Sequence, residues 1–339
     1  MSRVVAIILH AVPRAGAGPL ELAFAAARAR NAERQARGFE TAGADARIVE
    51  TGPAGAPFGA RLREIAATEA GAGIVILGSG SVPLATSVDR RAFMEAAGGS
   101  GATLTNNRYS GDILAIPPEV DLSALPDLVA DNSVPRWLAE RGVPVRDLRG
   151  RWRLQVDLDS PIDVLLAGFA RHHDPAFTRV RDAATRIRNR AADSRAELLV
   201  AGRTSAATLQ WLERATASRT RALIEERGFR TATPDQRPAR STLGLLIDRE
   251  GPEGFGRLLA GLADAAVVDS RVLLAHRLGT DESAWPAAED RFASDLLLHE
   301  RIADPWLRAL TRSAAEADIP ILLGGHTLVG PGVRLVARG

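Results

Sequence analysis

Residues 73–77 read Gly-Ile-Val-Ile-Leu, and this short apolar run decides the fold class of the first half of the chain. A strand that is apolar at every position is buried on both faces, which is typical of the middle of a parallel sheet covered by helices. Val4 to Leu9 is a second run of the same kind. Together the two runs predict an α/β domain built on a central sheet.

Strand and helix patterns alternate outward from these runs. Four more segments of the first half are predicted as strands: Ala46–Glu50, Ala102–Thr105, Ile113–Ile116 and Trp152–Leu158. Four are predicted as helices: the Ala-rich stretch that ends near Glu40, Arg61–Glu69, Thr86–Ala97 and a helix that ends at Arg171. Ser160 is the predicted N-cap of that last helix, with Pro161 at its first position and Asp163 in its first turn.

A second α/β cycle follows a polar, arginine-rich segment. We predict a first domain over residues 1–172, a helical connector over 173–195 and a smaller α/β domain over 196–339. The predicted strands of the second half are Glu197–Ala201, Arg221–Glu225, Ala265–Val268, Val272–Ala275, Ile319–Leu323 and Val333–Ala337. The predicted helices are Ala206–Ala215, two between Thr242 and Leu262, and most of Arg291–Ala317, with a loop at Thr231–Arg240.

Composition limits the function classes that need to be considered. The 339 residues are 46% hydrophobic and 25% charged, which is typical of a globular protein with buried cores. The absence of cysteine excludes disulfides, thiolate metal sites and a cysteine nucleophile. No apolar run is long enough for a bilayer span or a secretory signal, so we expect a cytoplasmic protein with no membrane partner.

The formal net charge is only +2, and every fixed cation is an arginine because the chain has no lysine. One stretch, Arg179–Arg195, is locally basic. Aromatic residues do not interleave with these arginines, so a solvated helix face is favoured over a nucleic-acid interface. Nucleic acid is therefore not a predicted partner.

Small-residue turns follow several of the predicted strands of the first half. The first turn reads Leu9-His10-Ala11-Val12-Pro13-Arg14-Ala15-Gly16-Ala17-Gly18, and the second reads Ile76-Leu77-Gly78-Ser79-Gly80-Ser81-Val82-Pro83-Leu84. Two further segments read Thr105-Asn106-Asn107-Arg108-Tyr109-Ser110-Gly111-Asp112 and Leu154-Gln155-Val156-Asp157-Leu158-Asp159-Ser160-Pro161-Ile162-Asp163. In content and order, over roughly residues 3 to 168, these segments resemble the motifs of the MobA-like nucleotidyltransferases, a family that includes phospholactate guanylyltransferases.

The resemblance implies a Rossmann-like mixed sheet of the nucleotide-diphospho-sugar transferase type. It also implies transfer of a nucleoside monophosphate from an NTP to a small phosphorylated or carboxylated acceptor, with Mg²⁺ or Mn²⁺. Its implied catalytic residues are Arg14, Asp157 and Asp159, and the two aspartates are also the implied metal ligands. The implied nucleotide-binding residues are His10, Ala11, Gly16, Gly18, Gly78, Ser79, Ser81, Asn106, Asn107 and Asp112.

Elementary chemistry agrees with this assignment. A triphosphate needs backbone N–H groups at a helix N-terminus and a fixed cation, which the turn with Arg14, Gly16 and Gly18 can supply. Carboxylates at the carboxyl end of a strand can hold Mg²⁺ against the phosphates. Asp157 and Asp159 follow such a predicted strand.

The sequence also departs from the family pattern. The family's lysine is missing, Pro13 interrupts the glycine turn, and Ser81 stands where an acidic residue is expected. Two hypotheses therefore stay open: a divergent nucleotidyltransferase, or a non-catalytic nucleotide-binding or regulatory protein on the same scaffold. In the enzyme hypothesis, the second domain closes over the acceptor or forms a homodimer interface.

Each candidate residue also has a purely structural interpretation. Arg14 and its glycines can form an exposed turn, the asparagines can form a plain turn, and Asp157 and Asp159 can cap a helix. In the second half, Gly202–Ser205 is either an anion site or an N-cap, with the N-cap favoured. Asp269, Arg271 and His276 are near enough in sequence to share a cleft.

Overall fold

The computed structural model describes residues 2–52, 56–99, 101–128, 131–171, 173–225 and 238–338. The chain divides into two compact units. The first holds Leu22–Leu158 and the residues up to Ala17, and the second holds Asp159–Gly339 and Gly18–Glu21. The predicted loop Thr231–Arg240 lies outside the described residues as far as position 237.

The first unit carries a six-stranded mixed sheet. Its strands are β1 (Val4–Ala11), β2 (Asp45–Thr51), β3 (Gly73–Gly78), β4 (Thr103–Thr105), β5 (Ile113–Ile116) and β6 (Val145–Asp147). Its helices are α1 (Pro19–Thr41), α2 (Phe58–Thr68), α3 (Ser87–Ala97) and α4 (Val134–Glu140), with 3-10 helices at Asp131–Ser133 and Trp152–Gln155.

The strand order of this sheet is β2-β1-β3-β5-β4-β6. Strand β5 is antiparallel to both of its neighbours, and the other pairs are parallel. The two apolar runs are its adjacent central strands, with Ile7 opposite Ile76. Alternate residues of these strands enter the cores on opposite faces, which contain Phe39 and Phe93 on one side and Leu62 and Leu138 on the other. The predicted α/β fold with a mixed sheet is confirmed.

The predicted strand Trp152–Leu158 is wrong. Trp152–Gln155 is a 3-10 helix, followed by a single antiparallel bridge between Ser81 and Asp157. The reason is that a neighbouring loop binds this backbone: Asn106 Nδ2 donates to the carbonyl of Leu154 at 2.9 Å. Gln155 Nε2 donates back to the Asn106 carbonyl at 3.1 Å.

The second unit carries a four-stranded parallel sheet in the order β10-β9-β7-β8. Its strands are β7 (Glu197–Gly202), β8 (Arg219–Ile224), β9 (Ala265–Asp269) and β10 (Ile321–Gly324). Its helices are α5 (Pro161–Leu166), α6 (Thr178–Ala191), α7 (Ala206–Ala215), α8 (Thr242–Glu250), α9 (Phe255–Ala260), α10 (Ser270–Leu278), α11 (Ala288–Asp295), α12 (Pro305–Ala315), α13 (His326–Val329) and α14 (Val333–Arg338). Short 3-10 helices lie at Pro175–Phe177, Pro252–Gly254, Glu282–Ala284 and His299–Arg301.

Two predicted strands of the second half are helices. Val272–Ala275 lies in α10, which begins because the Asp269 carboxylate accepts a hydrogen bond from the Arg271 N–H at 3.2 Å. Residues 270–275 are buried throughout, so the apolar run gave no period with which to distinguish a strand from a helix. Val333–Ala337 lies in α14, whose buried residues Val333, Val336 and Ala337 follow helical spacing.

The division between the units falls at Leu158–Asp159, whereas the sequence predicted a boundary at residue 172. The segment predicted as a connector contains α6, which packs on β7, β9 and β10. Val180, Ala184 and Ile187 form its buried stripe at helical spacing. With α5 and α6, the second unit is the longer of the two, and the domain bounds 1–172, 173–195 and 196–339 stay a prediction.

Arginines of α6 bind carbonyl groups of their own unit. Arg179 Nη1 donates to the Leu297 carbonyl at 2.7 Å, and Arg186 Nη2 donates to the Asp318 carbonyl at 3.1 Å. Two arginines of the basic stretch Arg179–Arg195 therefore have hydrogen-bond partners within the protein. Among the described helices, none combines the length and the apolar character needed to cross a membrane.

Candidate functional site

The candidate site lies at the carboxyl ends of β1 and β3, where open α/β sheets commonly bind ligands. Because these strands are adjacent and parallel, the ends carrying His10 and Ser79 lie side by side. His10 Nδ1 is 3.1 Å from Ser79 Oγ, and the Ser79 N–H donates to the Leu9 carbonyl at 2.8 Å. The predicted residues Gly78, Ser79 and Ser81 are therefore at the ligand edge, and Ala11 is an exposed residue there.

Two buried amides of α1 hold the loop after β3. Asn31 Nδ2 donates to the carbonyls of Ser79 and Ser81 at 2.9 and 3.1 Å. Gln35 Nε2 donates to the carbonyl of Val82 at 3.0 Å. Both amide side chains are fully buried. The loop is thereby fixed through its carbonyl groups.

Val82 has a φ of +44°, which is a strained conformation for a β-branched residue. Such strain costs roughly 1–3 kcal/mol and persists only where the surroundings impose it. Here Gln35 binds the Val82 carbonyl, and Arg90 in turn donates to Gln35 Oε1 at 3.2 and 3.0 Å. A strained loop held in this way is typical of a functional site.

Gly80 is the point at which a cation and a carboxylate approach the loop. A Cβ at this residue would lie 3.0 Å from Arg28 Nε, 3.0 Å from Asp157 Oδ1 and 2.9 Å from the Leu158 carbonyl oxygen. The absence of a side chain therefore lets Arg28 and Asp157 reach the same place.

Arg28 is the functional candidate that the sequence reasoning missed. Its Nε is buried and has no hydrogen-bond partner, and its guanidinium lies over the Phe24 ring at 5.8 Å. The spacing of Arg28, Asn31 and Gln35 places them on one face of α1, and that spacing was the available signal.

His10 is close enough to Arg28 for the two to interact electrostatically. Burial is the main cause that lowers the pKa of His10, and the Arg28 charge adds to it, while Glu50 acts in the opposite direction. The lowered pKa keeps the imidazole neutral at neutral pH. A neutral His10 can both donate and accept a hydrogen bond at the ligand edge.

The two predicted metal ligands lie in different units. Asp157 belongs to the first unit, where its Oδ1 accepts from the Leu158 N–H at 2.9 Å. Asp159 belongs to the second, where its Oδ2 is 3.4 Å from His326 Nδ1. Within the described part of the chain, no three acidic or histidine side chains converge so that they could hold a metal ion. The first unit thus supplies one of the predicted ligands, Asp157.

The predicted phosphate-binding turn is already occupied by a side chain. The N–H groups of Leu20 and Glu21 donate to Glu289 Oε2 at 2.9 and 3.1 Å, all within the second unit. A Cβ on Gly18 would lie 2.3 Å from that oxygen, so a larger residue there would displace the Glu289 carboxylate. A carboxylate thus binds the first N–H groups of α1, and the role of Gly18 as a nucleotide-binding residue stays a prediction.

Arg14 and Gly16 form an exposed turn in the first unit. The Ala17 N–H donates to the Arg14 carbonyl at 3.1 Å, and Gly16 has a φ of +80°, which favours glycine. This geometry accounts for the glycine by backbone conformation. The role of Arg14 as a phosphate ligand stays a prediction.

Asn106, Asn107 and Asp112 fold their own loop. Asn106 Nδ2 donates to Asp112 Oδ2 at 2.7 Å, and its Oδ1 accepts from the Asp112 N–H at 2.9 Å. Asn107 Oδ1 accepts from the Tyr109 N–H at 3.1 Å. With its further bond to the Leu154 carbonyl, Asn106 is committed to the loop and has little capacity for a ligand.

The other second-half candidates have separate partners. Ser205 is the N-cap of α7, since its Oγ accepts from the Thr208 N–H at 3.3 Å. Arg271 forms a buried ion pair with Asp295, and the shortest distance between them is 2.5 Å. His276 Nδ1 accepts from the Ser241 N–H at 3.0 Å. Asp269 and Arg271 are in contact, since the Arg271 N–H donates to the Asp269 carboxylate at 3.2 Å, whereas His276 has a different partner.

No family model matches this chain. A search of curated proteins likewise returns no match. The functional inference therefore rests on the motifs and on the geometry of the two units.

Proposed function

We propose that the first unit is a divergent nucleotidyltransferase that moves a nucleoside monophosphate from an NTP to a small phosphorylated or carboxylated acceptor. The observation that carries the proposal is the meeting of Arg28, whose buried Nε has no hydrogen-bond partner, and the Asp157 carboxylate over Gly80. A cation and a carboxylate at the carboxyl edge of a sheet are what a metal-bound triphosphate requires. The mixed sheet and the strained loop 79–82 support the same proposal.

Arg28 takes the role that the missing lysine has in the resembled family. A guanidinium binds phosphate oxygens through several N–H groups and stays charged at every physiological pH. The buried Arg28 Nε makes no hydrogen bond within the protein, so this donor is available to a polyanion. The absence of lysine from the chain is therefore compatible with phosphate binding.

Asp157 is the residue that would hold Mg²⁺ in the first unit. Mg²⁺ is commonly held by one or two carboxylates together with substrate phosphates and waters, so one carboxylate fits its needs. When bound, the metal would offset the charge that develops on the α-phosphate. Ser81 is bridged to Asp157 and fixes the segment that carries this carboxylate.

In the proposed reaction, an oxygen of the acceptor attacks the α-phosphorus. A new P–O bond forms, the bond to the β-phosphate oxygen breaks, and pyrophosphate leaves. Arg28 would orient the phosphates, and the fixed loop would hold them in place, so positioning and charge stabilisation contribute most of the catalysis. The neutral His10 would add a hydrogen bond at the same edge.

A non-catalytic nucleotide-binding protein is the second candidate. It is favoured by Ser81, which replaces an expected carboxylate, and by Glu289, which fills the amide site at Leu20 and Glu21. This candidate predicts that a nucleotide binds to Arg28 but is not turned over.

A thermal-shift screen with ATP, GTP, CTP and UTP, each with and without Mg²⁺, tests both candidates. Ligand at about a hundred times its Kd should add roughly 2.7 kcal/mol of stability, which is a shift of several degrees. Pyrophosphate release with the stabilising NTP then separates transfer from binding alone.

Asp157→Asn should abolish Mg²⁺-dependent stabilisation and turnover while the protein stays folded. Asp127→Asn is the matched control, because Asp127 forms an exposed ion pair with Arg63 and should change neither. Stabilisation that is independent of Mg²⁺ and unchanged in Asp157→Asn would refute the transferase and favour the binding protein. If no nucleotide stabilises the protein, both candidates are refuted.

A further inference from the structure

The second unit has its own ligand edge, at the carboxyl ends of its parallel strands. In the order β10-β9-β7-β8, the chain starts at β7, adds β8 on one side and then adds β9 on the other. The change of direction between β7 and β9 is a topological switch point, where α/β sheets of this kind bind ligands. The residues that follow these two strands are Arg203 and Thr204 after β7, and Ser270 after β9.

Asp269, the last residue of β9, orients Arg203 at this point. Its carboxylate is fully buried and accepts from Arg203 Nε at 2.7 Å and from Nη2 at 3.2 Å. The approach needs Gly202, which has a φ of +133° and at which a Cβ would lie 2.2 Å from the Asp269 Cβ. The glycine therefore lets β9 place a carboxylate against the arginine that follows β7.

The far edge of the Arg203 guanidinium stays open. Its two bonds to Asp269 use Nε and Nη2, and no acceptor among the described residues binds Nη1. Only 11% of the Arg203 side chain is exposed, so the open edge is held in one orientation by its surroundings. A guanidinium fixed on one side and open on the other is suited to bind an oxyanion.

Two buried hydroxyls near this edge lack partners. Thr204 Oγ1 and Thr327 Oγ1 are each inaccessible to solvent and make no hydrogen bond. Thr204 adjoins Arg203, and Thr327 is in α13, which follows β10 and contacts β7 and β9. Buried polar groups are nearly always satisfied, so these two hydroxyls have unused hydrogen-bonding capacity at the switch point.

We propose that this edge of the second unit is a phosphate-binding site formed by Arg203, Thr204 and Thr327, separate from the nucleotide site of the first unit. The donors come from the loop after β7 and from α13, and a tetrahedral phosphate offers more acceptor directions than a planar carboxylate. Asp269 neutralises part of the Arg203 charge, so a singly esterified or inorganic phosphate suits the site better than a triphosphate. The capped N-terminus of α7 adds a favourable dipole.

Titration with inorganic phosphate, followed by calorimetry and thermal shift, tests this site. Thr204→Val removes only the hydroxyl, so it should leave the protein at least as stable and weaken phosphate binding about three- to tenfold. Arg203→Lys keeps a positive charge beside Asp269 but loses the planar set of guanidinium N–H donors, and it should weaken phosphate binding by about tenfold or more. Thr103→Val is the matched control, since Thr103 Oγ1 is also buried and unpartnered but lies in the first unit.

The expected result is that both second-unit variants lose affinity while Thr103→Val keeps that of the wild type. Loss in Arg28→Met alone would place the phosphate in the first unit and overturn the proposal. The proposal is also overturned if the wild type binds no phosphate at tens of millimolar concentrations, or if Thr204→Val and Arg203→Lys bind like the wild type. Acetate, used in place of phosphate, should bind more weakly, and equal binding would overturn the choice of a tetrahedral anion.

Discussion

Replacing Arg28 by methionine should make the free protein more stable and its nucleotide binding weaker. Methionine keeps the apolar stem that packs near Phe24 and removes the guanidinium whose buried Nε has no partner. An unsatisfied buried donor costs about 1–3 kcal/mol, and the low end applies because the rest of the guanidinium is partly exposed. About 1 kcal/mol corresponds to a rise in Tm of roughly 2–4 °C for a unit of this size.

Nucleotide binding should change in the opposite direction. Hydrogen bonds from a charged donor contribute about 1.5–3 kcal/mol, so the Kd for the NTP should rise roughly 10- to 100-fold. Arg90→Met is the matched control, because Arg90 is a buried arginine beside the same loop whose guanidinium donates twice to Gln35 Oε1. That variant leaves a buried acceptor unsatisfied and should lower the Tm by several degrees.

Thermal melts of the two variants, with and without the NTP and Mg²⁺, measure both quantities on the same samples. Opposite signs of the change in Tm for the free proteins are the expected result. If Arg28→Met melts earlier than the wild type, as Arg90→Met should, then Arg28 is a structural residue. Unchanged nucleotide affinity in Arg28→Met would equally refute its proposed role.

Three further predictions concern neighbouring features. Gly80→Ala places a Cβ 3.0 Å from both Arg28 Nε and Asp157 Oδ1. We therefore expect stability to fall by about 1–3 kcal/mol, measured by denaturant unfolding, and nucleotide affinity to fall at least tenfold, measured by titration. Unchanged stability and affinity would contradict the close approach at Gly80. Glu289→Ala removes the carboxylate that binds the Leu20 N–H and should cost about 0.5–2 kcal/mol of stability by calorimetry, whereas an unchanged Tm would show that this cap is dispensable. Burial, reinforced by the Asp159 charge, raises the pKa of Asp163 well above its usual range, so the unfolded state releases its proton first as the pH rises. The stability that Asp163 contributes is therefore complete below an unfolded pKa of about 3.9 and is lost as the pH rises through the folded pKa. Asp163→Asn should gain stability relative to the wild type as the pH rises above about 4, and a pH-independent difference would refute the shift.

The fold class and the central strands could be predicted because their residues are apolar without interruption. β1 and β3 are buried on both faces, and their position in the sheet follows from that burial alone. The same property misled the prediction at Val272–Ala275, since a helix buried on all sides reads like a buried strand.

The site could be predicted only in part, for a different reason. The loop after β3 was identified because turn residues at a strand end are visible in the sequence. Arg28 was not identified because α1 carries several arginines, and only the register of the helix against Ser79 and Val82 singles out one face. The role of Glu289 could not be predicted from the sequence, because it contacts Leu20, which lies 269 positions away along the chain.

The two ligand edges differ in whether a carboxylate is hydrogen-bonded to the Nε of their arginine, and this difference predicts different ligands. Arg28 lies at the first edge with a buried Nε that has no hydrogen-bond partner, so its charge favours a polyanion. Arg203 is paired with the buried Asp269, which restrains its orientation and reduces the net charge. Raising the salt concentration should therefore weaken nucleotide binding at Arg28 more steeply than phosphate binding at Arg203, because screening acts on net charge and not on fixed hydrogen-bond geometry.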